Sequence, residues 1–567
     1  MQIYEILFDA HCPCCKFDSV ADHLWEMDED GEVLSRIVSW VRAGASNAQS
    51  VLKAVNSLLL FGICVAIVGS LLTGYGWDLD HEIYFGQQLS RGVPIWTVEV
   101  HDKLPLVQEL FLIPGFTRSV QVWQFMSFSM VCLAVAGARV IIPRLEEFQA
   151  IDEPTRNTLA WTCGLLFAFW VSILPGGISV INGPATSLWL LSVLVVFLWA
   201  DTYDAKPNKS HGLMVTAAFF GAAAVSIRPY LAAPLAVMTL YGVFFRRNRC
   251  KDLSGCTIQG VLGTLAFLVA LLLLNLVPYI VQGNVRAFID GISWLAQDLN
   301  PTPAVSSIGA YVLSFRGVSG VSLWVAFGFS VFATTKSTRN RSHGYGASVA
   351  LVIAVLALML LILRSHWWSH YAIMFSGAIA LLTTWVVCGL IPRSDWGKIR
   401  WGLGVRFVGA LVAASLIAGV AFNGLALPVR QFAEATSRGG QMFAHPEADQ
   451  VDVLRAHLAP GQSFLAPHSM FVHWTLEEPR HGFPHAANTD HILNGWWAGL
   501  PKASSFATPQ DYAEYCDMLI SIGPEVVAVP SVSPLRSCLQ AESSPFTLNS
   551  SSSLMRGDRL LIFSRQA

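Results

Sequence analysis

Long apolar runs separated by short polar connectors dominate the chain. About 20 apolar residues carry a helix across a bilayer. Eleven segments approach that length, near 55–75, 119–142, 157–175, 185–201, 211–227, 229–246, 258–282, 317–334, 346–363, 371–391 and 403–426. They predict a mainly α polytopic membrane helix bundle of about eleven spans over residues 53–428. Residues 1–52 are polar and charged, with no signal-peptide pattern, and are expected in the cytoplasm. Past 428 the pattern changes. Asp449–His457 reads as a helix, Pro460-Gly461 as a turn, and Ser463–Ala466 and Val526–Val529 as short strands, so 429–567 is expected to form a small α/β domain. No internal repeat is visible.

Charge orients these elements. Arg139, Arg144 and Arg156, then Lys206 and Lys209, then Arg246, Arg247, Arg249 and Lys251 fall in alternate connections. Lys336, Arg339 and Arg341, and then Arg393, Lys398 and Arg400, continue the series. The positive-inside rule puts that set in the cytoplasm and the C-terminal domain on the opposite, periplasmic or extracellular, side. The chain then reads as a multi-pass protein of the cytoplasmic (inner) membrane. Two connections on the outer side are long, Gly76–Arg118 and Gln282–Arg316; the second contains Val285–Leu299, an expected interfacial helix. Composition agrees, with 53% hydrophobic and 13% charged residues against about 25% charged in soluble domains. A net charge of −2 without a basic stripe excludes nucleic acid as a partner. In an oxidising compartment Cys516 and Cys538 would be a candidate disulfide.

Candidate chemistry concentrates in the first outer connection, 76–118. It opens with Asp78, Asp80, His81 and Glu82, where the first span leaves the bilayer. Tyr84 and Gln88 lie one helical turn apart, and Gly92 ends that helix. His101, Asp102 and Lys103 follow. The plain reading is a set of solvated loop charges. The alternative is general-base work, since a carboxylate beside apolar surface is poised to take a proton. A divalent cation on Asp78, Asp80 and Glu82 is a further option, although no metal site is assigned. Cations on the outer side are scarce, so each needs a reason. Lys103, Arg228, Arg316 and Arg364 all fall near that rim, as do His370 and Tyr371. Headgroup contact or snorkelling is the competing explanation for each.

The acidic element after the first span, read as Asp78-Leu79-Asp80 or as Asp80-His81-Glu82, resembles that of the GT-C glycosyltransferases. Asp102-Lys103-Leu104-Pro105-Leu106 resembles the acidic-Lys-Pro-Pro-Leu element of one branch of that superfamily, with Leu104 where the first proline is usual. That branch includes protein mannosyltransferases, lipid A aminoarabinose transferases and rhizobial lipopolysaccharide transferases. Arg364-Ser365-His366-Trp367-Trp368-Ser369-His370-Tyr371 is similar to its His-Tyr signature, and Leu458–Phe464 to the entry of its periplasmic domain. The resemblance spreads over nearly the whole chain except the first 50 residues. It implies inverting transfer of a sugar from a polyprenyl-phosphate donor to a glycan, lipid or protein acceptor on the outer face. It further implies Asp80 or Asp78 as base, with Glu82 beside them, and Lys103, Arg228, Arg316, Arg364, His370 and Tyr371 at the donor phosphate. His81, His101 and Asp102 would support the site.

A transporter or flippase for a lipid-linked glycan is the other functional class. It predicts midplane charges, broken helices and repeats, whereas the charges here cluster at one face. His11, Cys12, Cys14 and Cys15 are too tightly spaced for tetrahedral zinc and read as a reduced cysteine cluster. Seven histidines between 445 and 491 are scattered rather than paired.

Overall fold

The structure is a computed structural model. It describes residues 48–72, 77–94, 96, 103–174, 177–202, 207–247, 253–298, 318–337, 345–364, 369–390, 448–466, 476 and, with short gaps, 516–566. The first expected span is α1 (Ala48–Leu72), and α2 (Trp77–Ser90), α3 (Leu106–Leu110) and α4 (Leu112–Thr117) follow it. Long helices come next: α5 (Val120–Ile141), α6 (Glu153–Ile173), α7 (Asn182–Thr202), α8 (Pro207–Ile227), α9 (Ala232–Arg247) and α10 (Leu253–Val281). The segment expected to be interfacial forms a helix, α11 (Val285–Asp298), and α12 (Val318–Ser337), α13 (Tyr345–Arg364) and α14 (Ile373–Leu390) complete the described bundle. Each expected apolar segment up to 391 therefore forms a helix. The expected span at 403–426, like the cysteine cluster at 11–15 and the acidic run Glu26–Glu32, lies outside the described residues.

Six of these helices are long and apolar enough to cross a membrane, and α1, α9 and α12 contain shorter apolar stretches. The lipid-compatible surface is visible on α10, where Ile258, Val261, Leu265, Leu268, Leu272 and Leu273 all point outward. A soluble monomer rarely leaves so continuous an apolar face in water. Helix starts follow local chemistry. The Ser119 hydroxyl accepts from Val122 N–H (3.3 Å) to cap α5, and Asp152 accepts from Thr155 N–H (3.0 Å) to cap α6.

The described part of the long connection 76–118 is not a solvated loop. From Leu79 to Gln88, α2 is buried on every side. Two glycines permit this. A Cβ on Gly86 would sit 1.9 Å from the Phe111 carbonyl oxygen, and one on Gly115 would sit 2.2 Å from Gln87 N, so α2 and α4 cross backbone to backbone. Phe111 then stacks on Trp123 of α5 at 3.9 Å, pinning the unit to the bundle. Gly92 adopts φ +85° and ends α2, as its position predicts.

Near the C-terminus, α15 (Ala448–Arg455) precedes β1 (Phe464–Leu465), β2 (Val526–Pro530), α16 (Leu535–Leu539), β3 (Phe546–Ser553) and β4 (Arg559–Arg565). The sheet order is β1-β2-β4-β3, with β1 and β2 parallel and the other pairs antiparallel. Val527, Val529, Leu561 and Phe563 form a core with Leu535 and Leu539 on one side; Val526, Ala528, Leu560 and Ile562 pack with Val451 and Leu454 on the other. A disulfide joins Cys516 to Cys538, their Cα atoms 5.6 Å apart.

Candidate functional site

Asp80, His81 and Glu82 sit on the buried α2, each no more than 2% exposed. The reading of solvated charges is thereby overturned for these three. Helical geometry also separates the carboxylates. Successive residues advance about 100° around the axis, so Asp80 and Glu82 project about 200° apart. They do not converge on one ion, and among the described residues no three Asp, Glu, His or Cys side chains group as a metal site.

Glu82 instead receives Lys103. The Nζ–Oε1 distance is 2.6 Å, with the two side chains 8% and 2% exposed. This charged pair joins the two halves of the first connection. A neighbouring tie is Gln108, whose Nε2 donates to the carbonyls of Phe85 (2.9 Å) and Val93 (3.0 Å) beyond the middle of α2. Next to it, burial pushes the Glu109 carboxyl up to about 7, and its Oε1 is enclosed without a hydrogen-bond partner among the described residues. His81 packs on Phe85, ring centroids 4.3 Å apart.

Arg228 occupies a second centre. It follows the last residue of α8 and is 5% exposed. Its Nε donates to Asn182 Oδ1 at the start of α7, and Asn182 Nδ2 donates to the His370 carbonyl at 2.8 Å. The guanidinium carbon lies 5.4 Å from the ring centre of Tyr371, a cation–π contact, and Tyr230 flanks the same ring. No described carboxylate lies within ion-pair reach of Arg228. A nearly enclosed guanidinium held, among the described residues, by a neutral amide and an aromatic face is set to receive an anion.

The two centres lie at the same end of the bundle. Leu106 N–H, three residues past Lys103, donates to Asn275 Oδ1 on α10 (3.0 Å). Asn275 Nδ2 donates to Ser226 Oγ (2.8 Å), two residues before Arg228. Above them Trp96 N–H donates to the Tyr279 hydroxyl (3.2 Å), and Phe288 of α11 packs against both rings.

Of the expected site residues, Asp80, Glu82, His81 and Lys103 gather in one unit, while Arg228, His370 and Tyr371 gather in the other. Asp78 and Arg364 are described only as backbone, near the start of α2 and at the end of α13. His101, Asp102 and Arg316 lie outside the described residues. Sequence reading missed Asn182, Ser226, Asn275, Gln108 and Glu109. The available signal was polar residues inside or beside apolar runs, such as Asn275 within Leu-Leu-Leu-Leu-Asn-Leu-Val. No family model matches the chain, and no curated protein matches it by sequence.

Proposed function

We propose that the protein is a membrane glycosyltransferase of GT-C type that takes sugar from a polyprenyl-phosphate donor on the outer face of the cytoplasmic membrane. The reading rests chiefly on Arg228, a buried guanidinium with no described carboxylate partner, at the same bundle end as the acidic helix α2. A lipid-borne phosphate supplies the anion that such a group lacks. Lys103 and the polar groups near Tyr371 would add to its grip, with Arg316 and Arg364 as further cations on that rim.

In the proposed reaction Asp80 takes the proton of the acceptor hydroxyl, whose oxygen attacks the anomeric carbon. The bond from that carbon to the phosphate oxygen breaks, and polyprenyl phosphate leaves with the electron pair, its charge held by Arg228 and Lys103. Direct displacement inverts the anomeric centre. The Cys516–Cys538 disulfide supports an oxidising compartment for the C-terminal domain, and thus the outward orientation of this end. An eleven-span topology with an internal N-terminus completes the proposal.

The test compares envelope glycans by mass in cells carrying wild-type protein, Asp80→Asn or Arg228→Gln. Asp80→Asn removes charge with little change of volume, and Arg228→Gln removes charge while keeping a shorter polar side chain. Loss of one sugar increment in both, with the protein still inserted, is expected. Unchanged glycans with either variant would overturn the reading. Accumulation of a complete but untransferred lipid-linked glycan on the inner leaflet would favour the flippase class instead.

A further inference from the structure

A lone polar side chain in a membrane span is costly unless it is hydrogen-bonded, and it marks function more often than decoration. Asn275 is such a residue. It lies in α10, flanked by four leucines on one side and Leu-Val on the other, and is 2% exposed. Each of its hydrogen bonds has a defined direction. Oδ1 accepts from Leu106 N–H (3.0 Å), while Nδ2 donates to Ser226 Oγ (2.8 Å) and to the Leu271 carbonyl (2.7 Å). Ser226 Oγ then donates to the Ala222 carbonyl (2.8 Å) within α8.

Only a carboxamide provides an acceptor and a two-proton donor in that space. The consequence is geometric. Leu106 follows Lys103 by three residues and Ser226 precedes Arg228 by two, so one side chain bridges the segment carrying one cation to the helix end carrying the other. The two segments are otherwise 120 residues apart in sequence, counting from Leu106 to Ser226. The Leu106 amide is one of the first N–H groups of α3, which no intrahelical carbonyl can satisfy. Asn275 therefore supplies a helix-start partner from a different span.

We propose that Asn275 is a positioning residue that sets the spacing of Lys103 and Arg228 for one phosphate, through Leu106 N–H and Ser226 Oγ. This rests on the glycosyltransferase reading for the identity of the anion, but not for the bridge itself. Asn275→Leu keeps the branching and heavy-atom count and removes both bridging bonds together with the bond to the Leu271 carbonyl. Ser226→Ala removes only the far end and leaves the Leu106 bond in place.

Two measurements on the full chain in lipid nanodiscs separate the claims. The first is amide hydrogen exchange. With Asn275→Leu, exchange in the 103–111 segment is expected to rise about tenfold, the equivalent of one lost hydrogen bond. Exchange in α7 and α14 should stay unchanged. Uniform acceleration across the bundle, or none at 103–111, overturns the bridge. The second is binding of a long-chain polyprenyl phosphate as probe. Asn275→Leu and Ser226→Ala should each weaken it, the former about tenfold. In a Lys103→Met/Glu82→Gln background, which keeps the fold, Asn275→Leu should add little, because its effect runs through Lys103. Multiplying losses would mark a general structural defect and refute the positioning role. Wild-type protein that fails to bind the probe, with exchange changing as expected, would sink the donor assignment and leave the bridge standing.

Discussion

Lys103→Ala should unfold part of this protein as well as disable it. Lys103 Nζ sits 2.6 Å from Glu82 Oε1, and the Glu82 side chain is 2% exposed. Deleting the ammonium takes the described counter-charge away from a carboxylate nearly shut off from solvent. Breaking a buried pair in this way costs about 3–5 kcal/mol, whereas replacing both partners by neutral groups of similar size is close to neutral. The reverse single change, Glu82→Gln, should cost less, since the lysine stem is flexible and can turn its head toward the surface. The Lys103→Ala variant should therefore melt several degrees below wild type. The assay is thermal unfolding in nanodiscs, followed by tryptophan fluorescence, for Lys103→Ala, Glu82→Gln and the double Lys103→Met/Glu82→Gln. The expected order of stability places the double variant near wild type, Glu82→Gln below it and Lys103→Ala lowest. On the proposed mechanism the double variant is folded yet transfers no sugar, which separates the pair's structural part from its chemical one. If Lys103→Ala melts with wild type, the pair is solvated and the buried-helix account of the first connection is wrong. A simple loss-of-activity experiment with Lys103→Ala alone is therefore not interpretable without the double variant.

Other expectations follow from equally local geometry. Gly86→Ala should prevent assembly, because its Cβ meets the Phe111 carbonyl oxygen at 1.9 Å and neither backbone can retreat; the amount of folded protein after detergent extraction reads this directly. Gly212→Ala, a helical site with no described atom within 4 Å of the added Cβ, should instead stabilise by up to about 1 kcal/mol in the same assay. Opening the Cys516–Cys538 bridge, which spans 22 residues, by Cys538→Ser should destabilise the C-terminal sheet by about 3 kcal/mol, seen as faster proteolysis of that region. Glu109 binds its proton more tightly in the folded state, since burial lifts its carboxyl from 4.5 to about 7. Stability should therefore fall as pH rises through that window and bear the full cost above it. With partial solvent screening the change is about 1–2 kcal/mol; Glu109→Gln should flatten this pH profile, and an unchanged profile would remove the assignment.

The sequence by itself determined the helices of the bundle. A run of apolar residues in lipid must satisfy its backbone internally, so hydropathy and length dictate a helix wherever the run occurs. That is why ten expected segments, from 55–75 to 371–391, appear as α1, α5–α10 and α12–α14, and why Gly92 could be assigned as the end of α2 beforehand. The candidate acidic residues and Arg228 were legible for a related reason: charge is scarce at that rim, so each instance stands out. Their environment was not legible. Nothing local distinguishes a solvated Asp80 from one that is 1% exposed, because burial depends on Gly86 and Gly115 admitting a second backbone against α2. The pairing of Lys103 with Glu82, of Arg228 with Asn182, and of Leu106 with Asn275 across 169 positions depends on which helix ends meet. Hydrogen bonds between distant segments carry no periodic trace along the chain, so only the folded bundle could choose those partners.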